Sequence, residues 1–255
     1  MNTIEYYCLD AASLQQAAER LHEQYCDAVP FPHIVIDGLF SEEQLRGVLR
    51  EFPEPGQIDW NQFANREERK LASTAESQMG EATRLLLYQL NSSTFINFLE
   101  TLTGIDGLIP DPHFWGGGLH QITRGGYLKI HADFNVHEKL RLDRRLNLLL
   151  YLNEDWKEEY GGHLELWNRD MSRCEKRVLP IFNRCVVFNT TDYSYHGHPE
   201  PLDCPASLTR KSLALYYYSN GRPSEETSNA HGTWFKKRPS EKLGGIPHRL
   251  RSLFR

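Results

Sequence analysis

The sequence predicts a mainly β protein, a jelly roll of antiparallel strands behind an N-terminal helical layer. Three observations predict it. Up to about residue 109 the apolar residues recur mostly at helical spacing, whereas from residue 110 they fall in short β-prone runs. Glycine, proline or polar connections separate those runs, and no helical crossover lies between any two of them. Parallel strands need such crossovers, so the runs pair antiparallel, and a double-sheet jelly-roll or cupin-like barrel is the arrangement that buries them.

The elements follow in order. Residues 11–26 place Leu14, Ala17, Ala18, Leu21 and Tyr25 at helical spacing among polar residues, giving an amphipathic helix that packs on a sheet. Pro30-Phe31-Pro32 stops it, and residues 33–37 read as a short strand. Ser41, followed by Glu43 and Gln44, resembles an N-cap with an acidic first turn and starts a helix through Arg50. Residues 53–75 are polar and irregular and read as a mobile loop. A helical region runs from about Glu81 to Leu99, breaks at Asn91-Ser92-Ser93, and ends at Gly104 and Gly107. The β-prone runs are residues 119–122, 127–134, 146–152, 163–167, 185–188 and 213–218. The expected organisation is a single domain over residues 1–220, with the helical layer at 1–109 and the jelly-roll core at 110–220. A partly irregular extension rich in Pro, Ser and Lys follows at 221–255 and reads as a surface wrap or a partly mobile tail.

Composition excludes several classes of function. The chain has 255 residues, 40% of them hydrophobic and 25% charged, as in an ordinary soluble globular protein. Net charge is −5 and the pI is near 6.1, so no general electrostatic case exists for a nucleic-acid partner. The four basic residues between Lys139 and Arg145 are interrupted by an acidic one and read as a solvated face. The five cysteines form no CxxC pair or zinc-like cluster. No apolar stretch approaches the roughly 18 residues of a membrane span, and the start lacks a basic segment followed by an apolar run. The expected placement is therefore the cytoplasm, with reduced thiols and no membrane partner.

The chemistry begins at Tyr127-Leu128-Lys129-Ile130-His131-Ala132-Asp133. In a strand the side chains repeat every two residues, so His131 and Asp133 face the same way and can share a metal ion. A second histidine would complete a two-histidine, one-carboxylate set, which suits non-haem Fe(II) and leaves open positions; Mn, Co, Ni or Zn fit the same geometry. His196, 65 residues downstream, is the first candidate, with His198 its rival on the same face of an extended segment. His113, His120, His137 and His163 are weaker, although His120 and His163 lie in strand-like runs that could face the barrel mouth.

An oxygen-activating iron needs an electron source, and a two-electron organic acid bound to the metal would need a cationic anchor for its far carboxylate. Arginine forms bidentate pairs with carboxylates, and Arg210 lies 14 residues after His196, at the start of a β run. In residues 145–151 alternation puts Arg145, Asn147, Leu149 and Tyr151 on one face and Leu146, Leu148 and Leu150 on the other. Asn147 and Tyr151 are thus candidate cosubstrate contacts.

Taken in order, these residues resemble the prolyl-4-hydroxylase-like superfamily of 2-oxoglutarate and Fe(II)-dependent oxygenases. The marks are Gly126-Tyr127 before His131-x-Asp133, then Tyr151-Leu152-Asn153-Glu154-Asp155-Trp156 and Gly161-Gly162-His163-Leu164-Glu165-Leu166-Trp167. Tyr195-His196-Gly197 and Thr209-Arg210-Lys211-Ser212 follow. The resemblance covers about residues 30–220. It implies a double-stranded β-helix with His131, Asp133 and His196 as iron ligands, Arg210 and Tyr151 on 2-oxoglutarate, and Tyr127 in the cosubstrate pocket. It also implies Fe(II), 2-oxoglutarate and O2 as cofactors, with ascorbate in a supportive role. The reaction implied is hydroxylation of a small molecule, an amino acid or a peptidyl, including prolyl, substrate, with release of succinate and CO2.

Two departures stand out. The spacing from His196 to Arg210 is longer than in the best-known prolyl hydroxylases, and His163 replaces a residue that is often glutamate. Asp133 argues against the halogenating relatives, which lack this carboxylate. The alternatives are a non-catalytic metal-binding jelly roll, a zinc hydrolase on the same ligands, and a hydroxylase of sugars or natural products. Oligomeric state is not set by the sequence.

Overall fold

The N-terminal periodicity is realised as four helices, α1 (Ala11–Cys26), α2 (Glu42–Glu51), α3 (Glu81–Leu90) and α4 (Ser93–Thr103), in a computed structural model that describes residues 9–226 and 229–243. Asp10 caps α1 by accepting from Ser13 N, and Gly104 ends α4 in the left-handed region at φ 70°. The predicted break at residues 91–93 separates α3 from α4.

The strands are β1 (His33–Asp37), β2 (Asn61–Ala64), β3 (Glu68–Ser73), β4 (Ile109–Pro110), β5 (Gly118–Ile122), β6 (Tyr127–Ala132) and β7 (Asp143–Tyr151). They continue with β8 (Leu164–Trp167), β9 (Cys174–Val178), β10 (Arg184–Asn189), β11 (Tyr195–His198), β12 (Arg210–Ser219) and β13 (Trp234–Phe235). All pair antiparallel, in the order β1-β10-β7-β12-β5-β3-β6-β11-β8-β9, and curl into a nearly closed jelly roll. The fold expected from the sequence is the fold observed.

Alternation along β7 sorts the two layers. Leu146, Leu148 and Leu150 join Val187, Leu213, Leu215 and Tyr217 in the main core, packed against Leu14, Leu45, Leu86, Phe95 and Leu99 of the helices. Each fully buried leucine of this kind contributes about 1.5–3 kcal/mol. On the opposite face, Tyr151, Leu164, Leu166, Val186 and Phe188 pack between the two sheets and close one end of the barrel.

Two expectations are corrected. Residues 53–75 are not a loop throughout: β2 and β3 form a hairpin, and β3 bridges β5 and β6. The hairpin carries mostly polar residues because β2 is exposed, so it lacks the apolar run that marks a buried strand. The extension beyond residue 221 is not only a surface wrap, because β13 pairs with β6 beside the His131 backbone. Residues 244–255 of that extension, and residues 1–8 of the helical layer, lie outside the described residues. Among the described residues no helix is long and apolar enough to cross a membrane.

Candidate active site

β6 and β11 are neighbours in register, and His131 and His196 are direct cross-strand partners. Nδ1 of His131 lies 2.8 Å from Lys129 O, and Nδ1 of His196 lies 2.9 Å from Ser194 O. A carbonyl oxygen only accepts, so each Nδ1 carries a proton, and each Nε2 is the ring atom turned to Asp133. Asp133, one residue past β6, faces both: Oδ1 is 3.5 Å from His131 Nε2, and Oδ2 is 3.5 Å from His196 Nε2. One donor atom from each of the three lies within 4.8 Å of the others, and all three residues are buried. Two imidazole nitrogens and a carboxylate converging on one point make a site for a cation, and the donor set fits Fe(II).

The charges around this point are set by burial and neighbours. Burial opposes ionisation of Asp133, but the Arg144 guanidinium, followed by the two imidazoles, holds its carboxyl well below the usual carboxylate range. Burial, reinforced by His131, pushes His196 down to about 4, so it is neutral at pH 7. Arg144 Nη2 donates to Asp133 Oδ2 at 3.0 Å, and Asn147 Nδ2 donates to the same oxygen at 2.6 Å. Asn147 in turn accepts from Arg144 Nε at 3.0 Å. The Arg144 guanidinium carbon sits 3.4 Å from the Tyr216 ring centroid and 4.4 Å from that of Phe134. Its Nη1 is buried and has no hydrogen-bond partner.

Two chambers open on the three side chains. The inner one, about 70 Å³, is lined by His131, Asp133, Asn147, His196, His198 and Arg210, among others. Arg210 starts β12 and is only 4% exposed. Its Nε donates to Gly162 O at 2.9 Å and its Nη2 to Tyr151 Oη at 3.2 Å. No carboxylate among the described residues pairs with it. Burial lowers its pKa, with the Tyr151 hydroxyl opposing that. Gly162, at φ +73°, makes room for it: a Cβ there would lie 2.6 Å from Leu202 Cδ2 and 3.0 Å from Arg210 Cδ. His198 shares the chamber, is 3% exposed, and has no hydrogen-bond partner on either ring nitrogen. Burial first, then the Arg210 cation, holds it neutral.

The outer chamber, about 390 Å³, reaches His131, Asp133 and Arg144 from the surface and is bordered by Phe63, Trp115 and Phe235. Phe63 comes from β2 and Phe235 from β13, so the hairpin and the C-terminal segment both build this mouth. The Phe235 ring centroid lies 5.6 Å from that of His131.

The structure thus brings His131, Asp133, His196, Arg210, Tyr151 and Asn147 together. Tyr127 is placed elsewhere: its hydroxyl donates to Asn65 O at 3.0 Å, and it lines neither chamber. His120 lines both chambers, whereas His163 lines neither and holds Glu158 Oε1 at 2.9 Å.

Arg144 was hidden in the sequence by the basic run that contains it. Strict alternation sets Arg145 beside Asn147, but the pairing of β7 with β12 slips at a β-bulge, Tyr217 facing Leu146 and Tyr218 facing Arg144. One residue is skipped, so Arg144 turns inward and Arg145 reaches Ser219 and Glu226 instead. Neither side chain is solvated: Arg144 is 1% and Arg145 8% exposed.

Known proteins share both the segment and the fold. Residues 117–218 match the 2OG-Fe(II) oxygenase superfamily. Prolyl 3-hydroxylase OGFOD1 of Mus musculus is 29% identical over 79 residues, which is 29% of this chain and 14% of that protein's length. A Trichoplax adhaerens prolyl hydroxylase, solved with a hypoxia inducible factor oxygen degradation domain peptide fragment, superposes with a TM-score of 0.56 at 20% identity, over 83% of this chain and 94% of its own. HygX from Streptomyces hygroscopicus, solved with nickel and 2-oxoglutarate bound, superposes with a TM-score of 0.54 at 12% identity, over 86% of this chain and 96% of its own. The matched segment runs from the strand before His131 to the strand that carries Arg210, so this part of the chain is similar to the 2OG-Fe(II) oxygenase superfamily and lies on the fold that those solved enzymes share.

Proposed function

We propose that this protein is a 2-oxoglutarate- and Fe(II)-dependent dioxygenase that hydroxylates an unactivated C–H bond of a peptidyl, prolyl-type substrate, releasing succinate and CO2. The observation that carries the reading is Arg210. A buried cation without a counter-ion is costly by several kcal/mol, and this one, which pairs with no carboxylate among the described residues, lines the same small chamber as the His131 and His196 imidazoles and the Asp133 carboxylate. A ligand carrying an anionic group at one end and a metal-chelating group at the other relieves both ends at once, and 2-oxoglutarate is such a ligand.

In this reading His131, Asp133 and His196 hold the iron, and Arg210, steadied by Gly162 O and Tyr151, holds the distal carboxylate. With iron bound there, O2 would supply the oxidising equivalents for C–H hydroxylation, and 2-oxoglutarate would supply the two further electrons as it is oxidised to succinate and CO2. Arg144 and Asn147 fix the Asp133 carboxylate by its Oδ2. The unpaired Arg144 Nη1 borders the mouth and suits a substrate carbonyl oxygen. Trp115 and Phe63, both partly exposed at the rim, offer ring faces to an apolar substrate ring. A peptide is favoured because the mouth is an open cleft bordered by the β2–β3 hairpin and the C-terminal segment, and because the relatives include a prolyl 3-hydroxylase and a prolyl hydroxylase solved with a peptide.

Residues 1–220 acting as one catalytic unit in the cytoplasm belong to the same proposal; Cys26, Cys174, Cys185 and Cys204 all carry free thiols, as a reducing compartment maintains. The test is succinate release under air against proline-containing peptides and free amino acids. The expected result is peptide-dependent succinate in the wild type and none in Asp133→Ala. Undiminished turnover in Asp133→Ala, or turnover without oxygen, overturns the reading.

A further inference from the structure

We infer that His198 is a second anchor for the distal carboxylate of the cosubstrate, an imidazole N–H donor set beside Arg210. The inference rests on the oxygenase reading and extends it to a residue that the metal site does not use. His198 lies two residues after His196 in β11, so both imidazoles project to the same inner face. Gly197 between them is pressed against β6: a Cβ there would sit 2.7 Å from Lys129 O and 2.8 Å from Leu128 O. That close approach holds the strand against its neighbour, and with it the direction in which both rings point.

The two rings then meet different surroundings. His196 has its Nδ1 satisfied by Ser194 O and its Nε2 turned to Asp133. His198 has neither nitrogen satisfied, although it is buried and lines the chamber that Arg210 closes. Buried polar atoms in folded proteins are almost always paired, so an imidazole with two orphan nitrogens facing a chamber points to the chamber's occupant as its partner. A neutral imidazole offers one N–H, and a carboxylate has two oxygens. Arg210 gives its Nε to Gly162 O and its Nη2 to Tyr151 Oη, neither of them an anion. One carboxylate can therefore take the guanidinium charge on one oxygen and the imidazole N–H on the other. The consequence is selectivity for a 2-oxoacid with a second carboxylate over one that lacks it.

Calorimetric titration of the Mn(II)-loaded protein with 2-oxoglutarate and with 2-oxobutyrate, which has no distal carboxylate, tests this. His198→Val should weaken 2-oxoglutarate binding about tenfold, the worth of one hydrogen bond to a charged group, and leave 2-oxobutyrate binding unchanged. Equal affinity of wild type and His198→Val for 2-oxoglutarate overturns the inference alone. A wild type that binds neither acid overturns the oxygenase reading and this inference with it. A second measurement needs no folded variant: imidazole 15N–1H spectra of the Zn(II)-loaded wild type should gain a slowly exchanging ring N–H signal when 2-oxoglutarate is added. If only the Nδ1–H signals of His131 and His196 are seen with the acid bound, His198 does not hold it.

Discussion

The inner chamber buries a charge at each end, and the protein treats the two charges differently. At one end the Asp133 carboxylate is held by Arg144 and Asn147, both buried, so its charge is balanced whether or not a metal is present. At the other end the Arg210 guanidinium meets a carbonyl and a phenol and no anion. The balanced end is built to persist through turnover, because an ion ligand must keep its geometry in every state. The unbalanced end is built to be completed by what enters. Stability and ligand affinity should therefore separate between the two ends, and substitutions at each can break that separation.

The largest effect belongs to Asp133. In Asp133→Ala the Arg144 cation loses the buried carboxylate it pairs with, so the metal-free protein should lose about 3–5 kcal/mol of stability by urea denaturation, besides losing metal affinity. Arg210→Met is the counterpart. Removing an unpaired buried cation should leave metal-free stability within about 1 kcal/mol of the wild type, or raise it, while 2-oxoglutarate affinity of the metal-loaded protein falls about a hundredfold. An Arg210→Met protein as damaged as Asp133→Ala in the absence of ligand would show that Arg210 is a structural group, and the contrast would collapse.

A smaller effect comes from the glycine beneath the arginine. Gly162→Ala places a methyl against Leu202 and Arg210 at a positive φ, at a cost of about 1–3 kcal/mol. Part of that strain can be relieved only by moving Arg210, so 2-oxoglutarate affinity should fall by more than metal affinity does. Equal losses in both, measured by titration of each ligand, would mean that the strain spreads through the barrel rather than falling on the anchor.

What the sequence disclosed follows the same division. The candidate ligands His131, Asp133 and His196 were legible because strand periodicity puts His131 and Asp133 on one face, and the order of later motifs supplies His196. Arg210 was legible only from the resemblance and its place at the head of a β run; alone it reads as a surface arginine. Arg144 could not be read at all, because a bulge in β7 reverses the parity on which alternation depends, and a bulge leaves no mark in a single sequence. The β2–β3 hairpin and β13 escaped for a related reason: β2 is exposed and β3 and β13 are only partly buried, so they carry no continuous apolar pattern, and their place in the sheet is set by backbone pairing. The balancing residue and the mouth thus depend on tertiary register, whereas the ligands depend on local period.

The smallest effect is a pH slope that both ends share. An unfolded histidine takes up its proton near pH 6.5, whereas folded His196 does so at about 4 and His198 also well below its ordinary value, burial being the largest cause for each. Between those values the unfolded chain binds more protons, so folding stability is fully present above about pH 6.5 and falls as pH drops, by up to about 1.4 kcal/mol per unit for each imidazole. Asp133 does not contribute in this window. Its folded pKa is depressed, so the stability it lends is present above about pH 3.8 and is lost only in stronger acid. Urea midpoints of the metal-free protein at about pH 7 and about pH 5 should therefore fall, and His198→Val should make the fall shallower by one imidazole's share. Saturating Zn(II) should steepen it, since a metal that needs the bare Nε2 of His131 and His196 is released as they protonate. A slope unchanged by His198→Val would mean that His198 is protonated in the folded protein. It would then be a second cation beside Arg210, and the chamber would select its ligand by charge alone.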